Sequence, residues 1–559
     1  MNRVSRVRSY YGLGLVFILA LSYRTISVAQ GGSSPIHFVF QPISFHLEND
    51  ETPVRHVPAA MAGGVAIFDY NKDGKPDIFF TNGANLGTLK KDSPKYSNHL
   101  FRNDGGGRFT DVTRQAGLAG TGYDNGVAVG DYDNDGYPDL FVAGVHHNTL
   151  YHNNGDGTFT DVTVKAGLSL PDPDHSPLWA ITAAWVDVNN DGFLDLFVVN
   201  YLQWNYENEP ACAYQNVPHY CHPRSYKGLP NQLFLNNGDG TFTDVSAGSG
   251  IRAQIGKGMG VGVADYDRDG LPDLFVTNDG YYNFLFHNLG NGKFEEAGFP
   301  AGVALLDLGD FISGMGLDFR DFNNDGWPDL AFVALNNQTF PLFQNTGHGD
   351  FKDVTVSSGM AKLTRPMSGF GAGLYDFDND GWKDLFVTRG HVDAVPLANE
   401  EIEQYNTVFR NSGTGQWWAL TEEAGLNARP PARHRGCAFG DLDGDGRVDV
   451  VTTALGKDAE IWMNRSLHAG HWLDIALEGT KSNHDGMGAV VKVATRTGTQ
   501  YNHMTTSVGY ASSSDGPVHF GLGADSTAET VEIHWPSGIV QRLENVAGDR
   551  VLKVKEPAR

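Results

Sequence analysis

Cysteine is scarce in this chain, with three in 559 residues, too few for a disulfide-dense scaffold. Basic side chains are outnumbered, 41 Lys and Arg against 66 Asp and Glu. The resulting net charge of −25 excludes the basic footprint that sequence-independent nucleic-acid binding needs and opposes docking on anionic lipid. Also missing are G-x-S-x-G, a P-loop, H-E-x-x-H and any paired-Glu signature, so no motif fixes a catalytic chemistry. What is plentiful is glycine, 69 residues, together with 11% aromatic and 40% hydrophobic side chains. That combination describes a turn-rich folded protein with sizeable cores, not an acidic disordered chain.

Residues 1–29 read as a secretory leader. Arg3, Arg6 and Arg8 form a basic start, Gly12 to Leu21 an apolar run, and Ser27-Val28-Ala29 a small-residue cleavage site, so cleavage after Ala29 is expected. The run is shorter than the ~20 residues of a spanning helix, and no other stretch is apolar enough to span. No cysteine stands at the cleavage site for a lipid anchor. Loss of four arginines, Arg24 the fourth, takes the mature chain to −29. A secreted or periplasmic, cell-envelope location follows as the expectation.

Internal repetition decides the fold class. Seven segments read D-x-[DN]-x-D-G-x-x-D, with oxygen-bearing residues at positions one, three, five and nine and a main-chain carbonyl at seven. The first holds Asp69, Asn71, Asp73, Lys75 and Asp77; the second Asp131, Asp133, Asp135, Tyr137 and Asp139. The third holds Asp187, Asn189, Asp191, Phe193 and Asp195; the fourth Asp265, Asp267, Asp269, Leu271 and Asp273. The fifth holds Asp321, Asn323, Asp325, Trp327 and Asp329; the sixth Asp376, Asp378, Asp380, Trp382 and Asp384; the seventh Asp441, Asp443, Asp445, Arg447 and Asp449. Oxygens so spaced in a tight loop converge on one point, Gly at position six permits the turn, and hard oxygen donors in this number select Ca²⁺ over transition metals. The loops resemble the first half of an EF-hand. Position twelve, however, is Phe80, Val142, Val198, Val276, Phe332, Val387 or Thr452, inside an apolar strand, so the EF-hand reading fails. The seven loops hold 25 carboxylates, which would repel strongly without cations. The expected cofactor is calcium, up to seven ions, in structural sites of the weak extracellular kind, Kd about 10⁻⁴–10⁻³ M.

Each motif lies between two short apolar runs, as in Gly126-Val-Ala-Val-Gly130 and Leu140-Phe-Val-Ala143, and a second hairpin follows with an N-N-G-D-G turn at Asn153 and Asn236 and variants at Asn103, Asn288, Asn345 and Asn411. Four strands per repeat, seven times, predict an all-β, seven-bladed propeller over residues 30–465. The seventh repeat lacks its last strand, and His37-Phe-Val-Phe-Gln41 is a spare that would complete it and close the ring.

At these motifs the chain resembles the FG-GAP/VCBS repeat family, the calcium-loop propellers related to the integrin α-subunit head. Residues 466–559 resemble the ASPIC/UnbV domain through Ser482-Asn483-His484, Gly486-Met-Gly-Ala489, Gly509-Tyr510, His519-Phe-Gly-Leu-Gly523 and Trp535-Pro-Ser-Gly538. The order of the two resembles bacterial relatives of cartilage acidic protein, with His484 where that pattern has arginine. The resemblance implies secretion, calcium binding and an adhesion or interaction role, and implies no reaction. Read from the residues alone, the tail is a small antiparallel sandwich or barrel packed on the propeller, with strands at Trp472 to Leu477, Ala489 to Ala494, Val531 to Trp535 and Arg550 to Val554.

Cys212 and Cys221 lie in the long insertion Tyr201 to Pro230 and are expected to pair in an exported protein; Cys437 reads as a buried free thiol. On the face opposite the acidic loops, Asn82, His146, His147, Asn200, Asn278, Asn336, Arg389, His391, His434 and Arg435 would ring the propeller mouth. The expected function is that of a calcium-binding adhesion module, acting as a monomer without nucleic acid or a membrane span. Its partner would be an extracellular or envelope protein or a glycan, met through that face. The rival reading is a secreted enzyme with a metal or ligand site at His146, His391 and His434.

Overall fold

The computed structural model describes residues 35–169, 172–307, 309–393 and 401–558. The leader expected at 1–29 lies outside the described residues. Among the described residues the ring consists of seven four-stranded antiparallel sheets, each with one acidic loop between its first and second strands. Blade two is typical, with strands Asp124–Gly130, Asp139–Gly144, Asn148–Asn153 and Phe159–Asp161. The innermost strands are Val65–Phe68, Asp124–Gly130, Ala180–Val186, Gly258–Ala264, Leu317–Phe319, Gly369–Tyr375 and His434–Gly440. They neighbour one another in a closed circuit, the first beside the seventh.

Closure uses the spare strand. Phe38–His46 pairs antiparallel with Asp458–Asn464, Phe38 opposite Asn464, and forms the outer strand of the seventh sheet. Phe38 is buried and stands edge-on to Phe377 and Phe386 of blade six, at 5.5 and 5.7 Å. Apolar clusters fill the wedges between blades. Phe68, Phe79 and Leu100 of blade one pack with Val127, Leu140 and Tyr151 of blade two, and the junctions of blades three with four and four with five are filled in the same way. Near the axis the strands crowd. A Cβ at Gly126 would stand 2.2 Å from the Ile181 carbonyl of the next blade, which is why small residues dominate the innermost strands.

The C-terminal domain is a sandwich. One sheet orders Val518–Gly523, His471–Glu478 and Arg550–Lys555; the other orders Thr499–His503, Val490–Ala494, Thr527–His534 and Val540–Ala547. The expectation of a purely antiparallel domain is corrected at one pair, because His471–Glu478 runs parallel to Arg550–Lys555. A parallel pair needs a long crossover, and the intervening strands supply it. The sandwich core of Leu473, Val491, Phe520 and Val531 is continuous with Phe141, Trp185 and Leu196 of blades two and three.

Between Thr499–His503 and Val518–Gly523 the chain runs down the propeller axis. Innermost strands offer unpaired backbone groups to the hub, and this segment satisfies them. Thr506 Oγ1 donates to the Val129 carbonyl (2.9 Å), Gly509 N to Leu317 O (2.9 Å), Val127 N to Ala511 O (3.2 Å), and Asp515 N to Phe439 O (2.9 Å). Tyr510 is fully buried at the far end, its hydroxyl on the Met61 carbonyl (2.8 Å) and its ring edge-on to Phe370 (5.4 Å).

Candidate functional site

The acidic loops share one geometry. In loop two, Asp131 accepts the amides of Asp135 (Oδ1, 3.1 Å) and Gly136 (Oδ2, 2.7 Å), and Asp135 Oδ1 accepts the Tyr137 amide (2.8 Å). Asp139 closes the loop, taking the Tyr132 amide on Oδ2 (3.2 Å) and the Asn153 amide on Oδ1 (2.7 Å). The position-seven amide rests on the position-five carboxylate in every loop, at Lys75, Tyr137, Phe193, Leu271, Trp327, Trp382 and Arg447, with separations of 2.8 to 3.0 Å. Gly136 at position six has φ +91°, and position four is left-handed as well, with φ +58° at Asn134.

Position four, which the sequence reading passed over, ties the loops into a chain. Asn134 Nδ2 donates to the Gly192 carbonyl (2.8 Å), Asn190 to Gly270 (2.8 Å), Asn324 to Gly381 (2.9 Å) and Asn379 to Gly446 (3.0 Å); Arg268 does the same to Gly326. The asparagine that opens each second-hairpin turn works in the other direction. Asn153 Nδ2 donates to Pro138 O (3.1 Å) of its own loop and to Tyr70 O (2.9 Å) of the preceding one. The same inter-blade bond runs from Asn236, Asn288, Asn345, Asn411, Asn464 and, closing the circuit, from Asn103 to Leu442 O at 2.8 Å. The recurrence of Asn and Gly at these two places was the available signal.

Burial and mutual repulsion raise the loop carboxyls. Burial pushes Asp77 up to about 8, with Asp69 and Asp73 adding to it, and Asp131 up to about 9, with Asp485 and Asp139 adding to it. Burial likewise lifts Asp139 and Asp265 to about 7, and Asp187, Asp273 and Asp441 to about 6. Asp133 Oδ1 and Asp378 Oδ1, both at position three, are buried and accept no hydrogen bond. Carboxylate oxygens of Asp131, Asp133 and Asp135 lie within 4.8 Å of one another. An orphaned oxygen beside converging acids fits a hard divalent cation. In some loops a basic side chain already leans on these oxygens: His152 Nδ1 is 3.3 Å from both Asp133 and Asp139, and Arg410 reaches Asp378 (2.8 Å) and Asp380 (2.6 Å).

The C-terminal domain sits on this face. His484 Nδ1 is 3.1 Å from Asp131 Oδ2, and Asp485 Oδ2 accepts the Asp131 amide (2.8 Å). His519 Nε2 meets Asn379 Oδ1 (2.9 Å), and Lys383 Nζ donates to both Asp321 O and Tyr501 O (2.8 Å each). His484 thus points its imidazole at an acidic loop.

On the opposite face the polar rim is held by internal partners. His146 Nε2 meets Trp204 O (3.0 Å), and His391 Nε2 meets Asn336 Oδ1 (3.2 Å). His434 lies between Arg389 O (3.0 Å) and Glu460 Oε2 (3.2 Å). These described contacts give the three histidines different partners and do not gather them on one point. Asn82, Asn200 and Asn278 are buried, each engaged in turn-closing hydrogen bonds. Arg435 is fully buried against Phe370 and donates to Ala60 O and His391 O. Cys212 and Cys221 form a disulfide, and Cys437 is a buried free thiol whose pKa burial raises.

A family model described as FG-GAP-like repeat matches residues 69–142, 131–198, 224–276, 265–332, 321–387 and 389–452, and one described as ASPIC and UnbV matches 479–559. Cartilage acidic protein 1 of Homo sapiens is 27% identical over 383 residues, 67% of this chain and 53% of that protein; the Mus musculus protein is 27% identical over 58% and 49%. The chain spans about half the length of these curated relatives. Among solved structures, an Agrocybe aegerita lectin described as recognising non-reducing terminal N-acetylglucosamine is 17% identical, covering 71% of this chain and 86% of its own, with TM-score 0.41. BBS1N in complex with ARL6DN is 10% identical, covering 78% and 99%, with TM-score 0.41. Among the described residues no helix is long and apolar enough to cross a membrane.

Proposed function

The chain belongs to the FG-GAP-like repeat family, and from that premise we propose that it is an exported, calcium-stabilised propeller that binds a protein or glycan partner. The observation that carries the calcium reading is the sevenfold loop with its buried, orphaned carboxylate oxygens at Asp133 and Asp378. Residues at positions one, three, five and nine would hold each ion with the position-seven carbonyl. The bound ion supplies charge neutralisation and fixes the loop, and no reaction is assigned to it.

The binding reading rests on which surface is free. The C-terminal domain packs on part of the acidic-loop face, at Asp131, Asn379 and Lys383, whereas the insertion on the other face presents Tyr206, Tyr214 and Val217 to solvent. Exposed aromatic side chains held by a disulfide-braced loop suit a partner contact. The three histidines of the rival enzyme reading, His146, His391 and His434, meet different partners and do not converge on one catalytic point.

Calcium that binds only the native state stabilises it by mass action, about 1.4 kcal/mol per site when the ion is at tenfold Kd. Seven such sites predict that EDTA lowers Tm on the order of 10 °C. A melting curve unmoved by EDTA, on protein shown to be metal-free, would end the calcium reading. For the binding face, Tyr214→Asp should abolish capture of the partner from native exterior extract while leaving Tm unchanged.

A further inference from the structure

The long insertion of blade three folds across the face opposite the acidic loops and meets the segment that follows the second strand of blade six. Its disulfide, Cys212 to Cys221 with Cα atoms 5.3 Å apart, fixes the local backbone, and His219 N donates to Cys212 O (3.0 Å). His219 is 8% exposed, and its Nδ1 lies 3.3 Å from Asp393 Oδ1 yet makes no hydrogen bond. At the second oxygen of the same carboxylate, His391 Nδ1 lies 3.9 Å from Asp393 Oδ2. The Tyr220 amide points at Asp393 Oδ1 (3.3 Å), and Asn336 Oδ1 faces His391 Nε2 (3.2 Å).

We propose that His219, His391 and Asp393 bind one divalent transition-metal ion, zinc by donor type, which ties the insertion to blade six across the mouth of the ring. Hydrogen-bonded imidazole–carboxylate pairs in this chain run from 2.7 Å at His519 and Asp474 to 3.3 Å at His287 and Asp273. The His219 pair, at 3.3 Å, lacks hydrogen-bond geometry. Two ligands of one tetrahedral ion, with metal–ligand bonds of about 2.0–2.2 Å, stand roughly 3.3–3.5 Å apart. The His391 contact needs a few tenths of an ångström of closure, with Nδ1 giving up the Asp393 amide it now accepts at 3.1 Å. Two imidazoles with one carboxylate suit zinc and its neighbours and not calcium. The outer contacts are of the kind that orient metal ligands, an amide oxygen on the far nitrogen of His391 and a backbone amide on the carboxylate. The fourth coordination position is left for water or a partner's side chain. The site stands apart from the seven loops and does not depend on the calcium reading.

The test uses the full-length protein in calcium-containing buffer, titrated with Co²⁺ as a spectroscopic stand-in for zinc, with metal content measured after desalting. One Co²⁺ per chain with the intense visible absorption of a tetrahedral nitrogen–oxygen site is expected, displaced by Zn²⁺. Asp393→Asn, which preserves shape, and His219→Ala should each weaken Co²⁺ binding at least tenfold while calcium content and Tm in calcium stay as in the wild type. Absence of a stoichiometric ion, or undiminished binding in both variants, overturns the proposal. Failure of the EDTA melting test alone would leave this result standing, and the reverse holds equally.

Discussion

A single asparagine per blade does work that a turn residue alone would not. Asn153 is fully buried; its Nδ2 holds the carbonyls of Pro138 and Tyr70, and its Oδ1 accepts the Gly155 amide at 3.1 Å. Replacing it leaves two buried carbonyls and one amide without partners, and an orphaned buried polar group costs about 1–3 kcal/mol. Asn153→Ala should therefore destabilise the calcium-loaded protein by roughly 2–4 kcal/mol in urea unfolding. Asn154→Ala, whose side chain bonds Thr158 on the exposed surface, should fall within about 0.5 kcal/mol of wild type. Equal effects would mean that the inter-blade bond contributes nothing. The turn itself was legible as N-N-G-D-G. Its second partner was not, because Tyr70 lies 83 residues away in sequence and becomes a neighbour only once blades one and two have packed together.

At the scale of the element, the acidic loop makes its stability depend on pH in the direction opposite to most carboxylates. An unfolded Asp titrates near 3.9, whereas burial holds Asp77 near 8, Asp131 near 9, and Asp139 and Asp265 near 7 in the metal-free fold. These carboxyls therefore bind more protons in the folded than in the unfolded chain between about pH 4 and pH 9, and their contribution to stability falls as pH rises through that window. His287, raised to about 9 by its hydrogen bond to Asp273, loses its contribution at the top of the same range. In EDTA, Tm should drop steadily from pH 5 to pH 9; with calcium bound the carboxylates stay ionised and the curve should flatten. A rising Tm in EDTA over that interval would contradict the buried-acid account. The strands flanking these loops were readable because short β-branched and aromatic runs bracket a glycine turn. In the tail, Thr499–His503 carries mostly polar residues and Val540–Ala547 spaces its apolar residues without strand alternation, so hydrophobic pattern could not find them. The parallel pairing of His471–Glu478 with Arg550–Lys555 leaves no local mark in sequence at all.

For the whole molecule, the C-terminal domain is part of the ring's hub as well as a neighbour on its face. A seven-bladed ring leaves an axial space rimmed by the unpaired edges of its innermost strands. Here residues 505–515 fill it, bonding strands of blades one, two, four, five and seven. The sequence carried Gly509-Tyr510 as a motif but gave no sign that the pair enters another domain, because that contact depends on the shape of a channel built by residues hundreds of positions upstream. Gly509 has φ +88°, and a Cβ there would press on the carbonyls of Cys437 and Ala372 at 3.2 and 3.4 Å. Tyr510 then reaches the far end of the axis, between Phe370 and Met61. If this segment fastens the blades to one another, Tyr510→Ala should cost about 3–5 kcal/mol, as for other large aromatic truncations in a close-packed core. Tyr510→Phe, losing only the bond to Met61 O, should cost about 1 kcal/mol. The loss in Tyr510→Ala should appear as a lower stability of the propeller itself, read by amide hydrogen exchange in the inner strands Asp124–Gly130 and His434–Gly440, and not merely as loosening of the tail. A propeller transition unchanged in Tyr510→Ala, with only the C-terminal domain melting early, would show that the ring stands without its axial segment.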